Sequence, residues 1–351
     1  MLPPHAEHAV NHGMPLAAGR DGPIAAAFEA ELAGVEARLT AELTSDLGCV
    51  NALVRHSEQY HGKMLRPTLV FVTAMATARD GEPITERHRV AATVVEMIHM
   101  ATLVHDDVLD EAVVRRGGPA LNHLCGNEAA VMLGDFLLSH AYHLSCRLVD
   151  TPVLEMLAQT TNRVCEGELL QLANRGNWQL DERTYFEIIR RKTASLCGAC
   201  CRVAAALHDA DDATCAMFGR YGEKLGLAFQ VIDDLLDLTG SEQTVGKTLR
   251  RDLQSAKPTL PIIHHLQTVG ADDRRLLQRI DSLSPAAGPG DEDQAVQSIA
   301  ALLDETDSIA YAARYAHRLT DEAISDIGRL PDTPAKAIMA DIAAALVSRQ
   351  A

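Results

Sequence analysis

From Pro23 onward, hydrophobic residues recur along this chain every three or four positions. One stretch runs Ile24, Phe28, Leu32, Val35 and Leu39; another runs Val90, Val94, Met97, Ile98, Ala101 and Thr102 and continues to Asp110. That spacing sets apolar side chains on one face of an α-helix. Further helical windows cover about 126–148, 152–173, 182–207, 212–238, 258–268, 292–304, 306–327 and 333–349. Breakers separate them: Gly117-Gly118-Pro119, Thr151-Pro152, Arg175-Gly176-Asn177 and the run from Pro285 to Pro289. No alternating pattern bounded by turns predicts a strand. The expected fold class is all-α.

The windows at 126–148 and 212–238 are apolar on more than one side, as helices inside a bundle are. No interdomain linker interrupts the pattern, so 23–351 is expected to form a single domain. Residues 1–22 are rich in Pro, His, Gly and Ala, lack helical periodicity, and read as a disordered tail without secretory features. No window holds 18 uninterrupted apolar residues. No integral membrane segment is therefore expected, and a cytoplasmic location is.

Composition narrows the partners. The chain of 351 residues is 47% hydrophobic but only 4% aromatic, a mixture suited to closely packed helices. Its formal charge of −16 leaves no basic stripe for a nucleic acid. The eight cysteines include Cys197 and Cys200 in a CxxC, but no second CxxC stands at zinc-ribbon distance. Within the apolar segment 185–207, Cys197, Cys200 and Cys201 read as small, buried, reduced side chains.

The acidic residues carry the sharper signal. Asp106, Asp107 and Asp110 form one DDxxD, and Asp233, Asp234 and Asp237 another. Each ends a long apolar helix, with its first and last Asp one turn apart on one face. Carboxylates there repel each other and oppose the helix dipole. A solvated acidic helix end accounts for one such motif; two copies with apolar flanks point to bound cations. Hard cations such as Mg²⁺ bind through one or two carboxylates plus substrate phosphates. An EF-hand is excluded by the missing loop glycine and twelfth-position Glu. Lys63, Arg66, Arg115, Arg116, Lys192, Lys247 and Lys257 lie around the clusters in sequence. Singly each is an ordinary surface charge; together with metal they suit a polyanion, Arg as a fork and Lys as a point charge.

These runs resemble the trans-type polyprenyl diphosphate synthases, the family that includes farnesyl, geranylgeranyl and octaprenyl diphosphate synthases. The matching segments are GKMLRP at 62–67, IHMATLVHDDVLDEAVVRRG at 98–117, GDFLL at 134–138 and EGELLQL at 166–172. They continue with KTASL at 192–196, FQVIDDLLD at 229–237 and GKTLRRDLQSAKPTLP at 246–261. The likeness spans the chain after the tail and is closest to the long-chain quinone-tail synthases. It implies a helical bundle of the isoprenoid synthase type, with a central cavity and the clusters facing each other across its mouth. It implies condensation of an allylic diphosphate, such as farnesyl or geranylgeranyl diphosphate, with isopentenyl diphosphate by ionisation, attack and proton loss.

By the same resemblance, Asp106, Asp110 and Asp233 would ligate Mg²⁺, supported by Asp107, Asp234 and Asp237. Arg115, Lys192, Lys247 and Lys257 would hold the allylic diphosphate, and Lys63, Arg66, His99 and Arg116 isopentenyl diphosphate. Thr193 and Gln230 would lie beside the reacting carbons or their diphosphate, making Lys192, Thr193 and Gln230 the catalytic set. A homodimer through the 126–148 helix is also implied. His99, read alone, is an ordinary core histidine. The chain departs from the family pattern at His61, Arg250 and Ala256, which stand in place of glycines, and at Met64, where a basic or polar residue is common.

Ala101 and Thr102 precede Asp106 by about one turn, where short-chain members place aromatic residues. Small residues imply a tunnel open to a product of about C30–C50, each buried CH₂ contributing about 0.8 kcal/mol. Alternatives remain a medium-chain farnesyl or geranylgeranyl diphosphate synthase, a terpene cyclase, a non-catalytic synthase subunit and an acidic helical scaffold.

Overall fold

The computed structural model describes residues 23–57, 60, 62–79, 83–116, 118–239, 251–270, 273–281 and 289–348. The expected tail over 1–22 lies outside them, as do His61, Lys247 and Arg250. Contacts group the chain into two units. The first takes the described residues of Met1–Thr161 with Ala199–Gly219 and Ile327–Ile342; the second takes Asn162–Gly198, Arg220–Asp326 and Ala343–Ala351.

The first unit contains α1 (Pro23–Glu42), α2 (Gly48–Ser57), α3 (Leu65–Thr77), α4 (Glu86–Leu109), α5 (Leu121–Cys125) and α6 (Asn127–Ser145). Helix α4 packs most extensively on α6, then on α3 and α1. Its Val94, Val95, Met97, Ile98 and Met100 are buried, as are Leu69 and Phe71 of α3 and Leu133 and Leu137 of α6. Each large apolar side chain contributes about 1.5–3 kcal/mol on burial, so this packing outweighs helix propensity. Thr85 N–H donates to His88 Nδ1 at 3.2 Å, and His88 Nε2–H donates to the Ala204 carbonyl at 3.1 Å. The ring is therefore the neutral Nε2–H tautomer and closes the start of α4. At the other end Asp110 N–H bonds the Asp106 carbonyl at 2.8 Å, and Glu111 turns left-handed at φ 48°. That residue stops the helix on the first aspartate cluster.

Beyond it, β1 (Val114–Arg115) pairs antiparallel with β2 (Gly118–Pro119). This short pair supplies the only strands among the described residues.

Helices α7 (Thr151–Ala173), α9 (Ser195–Ala206), α10 (Asp212–Thr239) and α16 (Pro334–Val347) contribute residues to both units. The second unit adds α8 (Glu182–Ile189), α11 (Arg251–Gln254), α12 (Leu260–Val269), α13 (Arg274–Asp281), α14 (Pro289–Glu305) and α15 (Ser308–Asp326). Tyr185, Ile188, Leu227, Val231, Ile263, Ala312 and Ala316 share one buried cluster; Leu266, Ile280, Val296, Ile299 and Leu303 share another. His264 stacks on Tyr311 at 4.0 Å, and buried His265 bridges Thr306 and Asp273.

The helical window expected over 182–207 runs without a break over Glu182–Ala206, but it is not α-helical throughout. Residues Arg190–Ala194 form a π-helical turn between α8 and α9. One extra residue per turn leaves no imprint on hydrophobic spacing over so short a span. Helix α3 also escaped the periodic reading, because Pro67 through Ala74 are all buried and offer no polar face.

Candidate active site

The first cluster closes α4. Asp106 and Asp110 are half-buried, while Asp107 between them is fully buried. The Tyr60 hydroxyl donates to Asp107 Oδ2 at 2.6 Å, and the Leu121 N–H donates to that hydroxyl at 3.1 Å. Arg115 Nε donates to Asp107 Oδ1 at 3.0 Å, and its Nη2 forms an ion pair with the same oxygen. Burial opposes the charged form of Arg115, but the Asp107 hydrogen bonds and charge outweigh it and raise its pKa. Burial and the Asp107 charge raise that of Tyr60 too. Asp107 thus anchors Tyr60 and Arg115, and the flanking Asp106 and Asp110 keep access to solvent.

The residues expected to bind isopentenyl diphosphate also lie in this unit. Lys63 is exposed, Arg66 is half-buried, and Arg66 Nε has no hydrogen-bond partner among the described residues. Gly62 lies against the Arg116 guanidinium, where a Cβ would sit 2.8 Å from Nη1. Desolvation, opposed by Glu96 and reinforced by Arg115 and Arg66, lowers the Arg116 pKa to about 10. His99 is held well below its ordinary value by desolvation and by the charges of Arg66, Arg116 and Arg115. The buried Glu96 was not picked out from sequence. Burial raises its pKa, and the charges of nearby Arg66 and Arg116 oppose that rise, so it is an acidic group set beside this basic one. Its signal was available: an acid on the buried face of α4, three residues before His99.

Ala101 is fully enclosed, whereas Thr102 is half-buried and its hydroxyl donates to the His99 carbonyl at 2.7 Å.

The second cluster lies on the last turns of α10. Asp233 is half-buried; Asp234 and Asp237 are buried. The Tyr185 hydroxyl donates to Asp234 Oδ2 at 2.6 Å, and Gln230 Nε2 donates to Oδ1 at 2.8 Å. Burial, then the negative charge of Asp252, pushes the Asp234 pKa well above the carboxylate range. Burial and Asp234 raise that of Tyr185. Asp237 accepts the Asp252 N–H at 3.1 Å. Gln230 Oε1 accepts from the Thr193 hydroxyl at 2.9 Å, so Thr193, Gln230 and Asp234 form one hydrogen-bonded line. Lys192 beside them donates to Gln171 Oε1 at 2.9 Å and pairs with Glu168 of α7. Sequence reading matched the EGELLQL run without giving Glu168 or Gln171 a role. Lys257 is buried, and the preceding Ala256 sits at φ 50°. This left-handed conformation explains why glycine suits that position and costs an alanine about 1 kcal/mol. Met64 beside Lys63 also has φ 50°.

Among the described residues, no three His, Cys, Asp or Glu side chains converge on a ready-made metal cage. Taken cluster by cluster, the half-buried Asp106 and Asp110 of the first and Asp233 of the second present hard carboxylate oxygens, a donor type that suits Mg²⁺, which usually keeps several waters and takes only one or two carboxylates.

A profile described as polyprenyl synthetase matches residues 49–299. Octaprenyl diphosphate synthase of Escherichia coli is 32% identical over 322 residues, covering 91% of this chain and 96% of that protein. Heptaprenyl diphosphate synthase component 2 of Geobacillus stearothermophilus is 32% identical over 313 residues, covering 89% and 94%. The crystal structure of a Caulobacter crescentus polyprenyl synthase complexed with calcium and isoprenyl diphosphate superposes with a TM-score of 0.84. It is 29% identical and covers 99% of this chain and all of that one.

Proposed function

This chain belongs to the polyprenyl synthetase family, and from that premise we propose that it extends an allylic diphosphate with isopentenyl diphosphate to a long all-trans product. It is a prenyltransferase with the all-α isoprenoid synthase fold. The observation that carries the site assignment is the repeated construction of the clusters. In each, a buried middle aspartate is fixed by a tyrosine hydroxyl, and at least one neighbouring aspartate remains accessible.

Asp106, Asp110 and Asp233 would hold Mg²⁺, with Asp107, Asp234 and Asp237 orienting them. Bound Mg²⁺ supplies Lewis-acid neutralisation of the charge that develops on a departing diphosphate. The protein's own cations work on the same charge: Lys192 and Lys257, with Lys247 and Arg115, bind the allylic diphosphate. Such preorganised groups stabilise the separating ions without reorganising as the bond breaks. Thr193 and Gln230, fixed by their shared hydrogen bond, present oxygen dipoles to the positive carbon chain. Lys63, Arg66, His99 and Arg116 would place isopentenyl diphosphate, and the low pKa of His99 keeps it neutral.

The long-chain reading agrees with the octaprenyl and heptaprenyl relatives. Incubating the purified chain with farnesyl and isopentenyl diphosphates, with Mg²⁺ or with EDTA, tests it by product sizing. Products of about C30–C50 that require the ion support it; termination at C15 or C20 overturns the length. Ala101 is enclosed and Thr102 half-buried on the expected wall, so Ala101→Phe and Thr102→Phe should each shorten the product. Inactivity without a second chain would instead favour the subunit reading, which the component 2 relative makes concrete. We also propose a homodimer, supported by exposed Val131, Met132 and Tyr142 on α6. No helix among the described residues is long and apolar enough to cross a membrane; a cytoplasmic location is part of this proposal.

A further inference from the structure

The π-turn at Arg190–Ala194 carries Lys192 and Thr193, and two glycines touch it from separate helices. A Cβ on Gly167 of α7 would run into the Lys192 backbone nitrogen and the Arg191 side chain. A Cβ on Gly226 of α10 would lie 2.5 Å from Ala194 Cα and 3.2 Å from Cys197 Cβ. Both obstructions involve main chain, so no rotamer change relieves them. Real Cβ atoms do not approach so closely, and the turn would have to move.

Those contacts coincide with the polar anchors. One residue from Gly167, Glu168 pairs with Lys192, and Gln171 one turn further accepts from Lys192 Nζ at 2.9 Å. One turn from Gly226, Gln230 accepts from the Thr193 hydroxyl at 2.9 Å. Helix α7 thereby holds the lysine and α10 the threonine, each through a backbone approach that only glycine permits. A hydrogen bond of this length weakens quickly with displacement, so moving the turn by even half an ångström alters both.

We propose that Gly167 and Gly226 are positioning residues, which seat the π-turn so that Lys192 Nζ meets the diphosphate and Thr193 Oγ1 the carbon chain of the allylic substrate at productive range. This rests on the reading above that Lys192 and Thr193 serve the allylic substrate. Glycine in a helix interior is less favourable than alanine, so its use at two contacts on one turn needs a compensating gain. Gly219, also in α10, is the internal control. Among the described residues, the nearest neighbour of a Cβ there is the Arg202 side chain, at an ordinary 3.5 Å.

The test compares Gly167→Ala, Gly226→Ala, Gly219→Ala and Lys192→Gln in the full chain, by circular dichroism, thermal unfolding and steady-state kinetics with farnesyl and isopentenyl diphosphates. Gly167→Ala and Gly226→Ala are expected to remain helical while KM for the allylic substrate rises about ten-fold or more and KM for isopentenyl diphosphate stays within about two-fold. Gly219→Ala should match the unaltered chain. Should one glycine variant fail to fold, the other decides. Folded variants with an unchanged allylic KM overturn the proposal. So does failure of both to fold, since the contacts then serve the fold alone. Lys192→Gln separates the two levels: if it leaves the allylic KM unchanged, the underlying reading of Lys192 is what fails.

Discussion

The two aspartate clusters share a spelling but differ in what their middle carboxylate meets. Asp107 faces a cation: Arg115 forks onto it while Tyr60 donates from the other side. Among the described residues, Asp234 accepts from two neutral donors, Tyr185 and Gln230, with the negative charge of Asp252 nearby. The first is a buried ion pair that has already used one arginine. The second is a hydrogen-bonded carboxyl in an acidic surround, which favours an added proton or cation. One motif has been fitted to two electrostatic settings, and substitutions should tell them apart.

The largest effects test what the clusters share. Asp106→Asn and Asp233→Asn are each expected to lower kcat/KM by about 10²- to 10³-fold, with partial recovery at raised Mg²⁺. If one is silent in steady-state kinetics, the equivalence of the clusters breaks. Next comes their difference. Asp107→Asn strands the Arg115 charge and should cost about 3–5 kcal/mol in urea unfolding. Asp234→Asn keeps the shape among neutral partners and should cost about 1 kcal/mol or less. Equal costs would sink the distinction.

Acid should act through the helix that leads to the first cluster. His88, at the start of α4, is buried neutral with its pKa lowered from 6.5 to about 4 by desolvation, with Arg87, Arg89 and His208 adding positive charge nearby. Below pH 6.5 the unfolded chain takes up a proton that the folded chain refuses until about pH 4. Stability is therefore complete above 6.5 and falls by about 3 kcal/mol across that window. His88→Gln should flatten this part of the pH profile; an unchanged slope counts against the assignment.

The smallest effects concern the tyrosines. Tyr60→Phe removes a donor to Asp107 and the acceptor of the Leu121 N–H, and should cost about 1–2 kcal/mol. Tyr185→Phe loses a single bond and should cost about 1 kcal/mol in the same denaturation assay.

Much of this was legible in the sequence. The amphipathic spacing of α1 and α4 announced their packing, and the DDxxD runs announced their own helix ends. What stayed hidden was contact at long range. Nothing around Tyr60 indicates that its hydroxyl reaches Asp107, 47 positions away, or that Tyr185 does the same for Asp234. Helix α3 was invisible because uniform burial removes periodic contrast. The π-turn was invisible because hydrophobic spacing is nearly unchanged across one widened turn. Ala256 could be noticed as a departure from glycine, but only its φ of 50° shows why that departure matters.

The pairing of Lys192 with Glu168 bears on selectivity among anions. Before any ligand arrives, the ammonium already has a carboxylate companion. An incoming anion must outcompete that companion, and the gain is the difference between two attractions. A single negative charge offers little advantage over Glu168, whereas a diphosphate brings several. On the proposed role of Lys192, that companion favours a polyanion over chloride and small carboxylates.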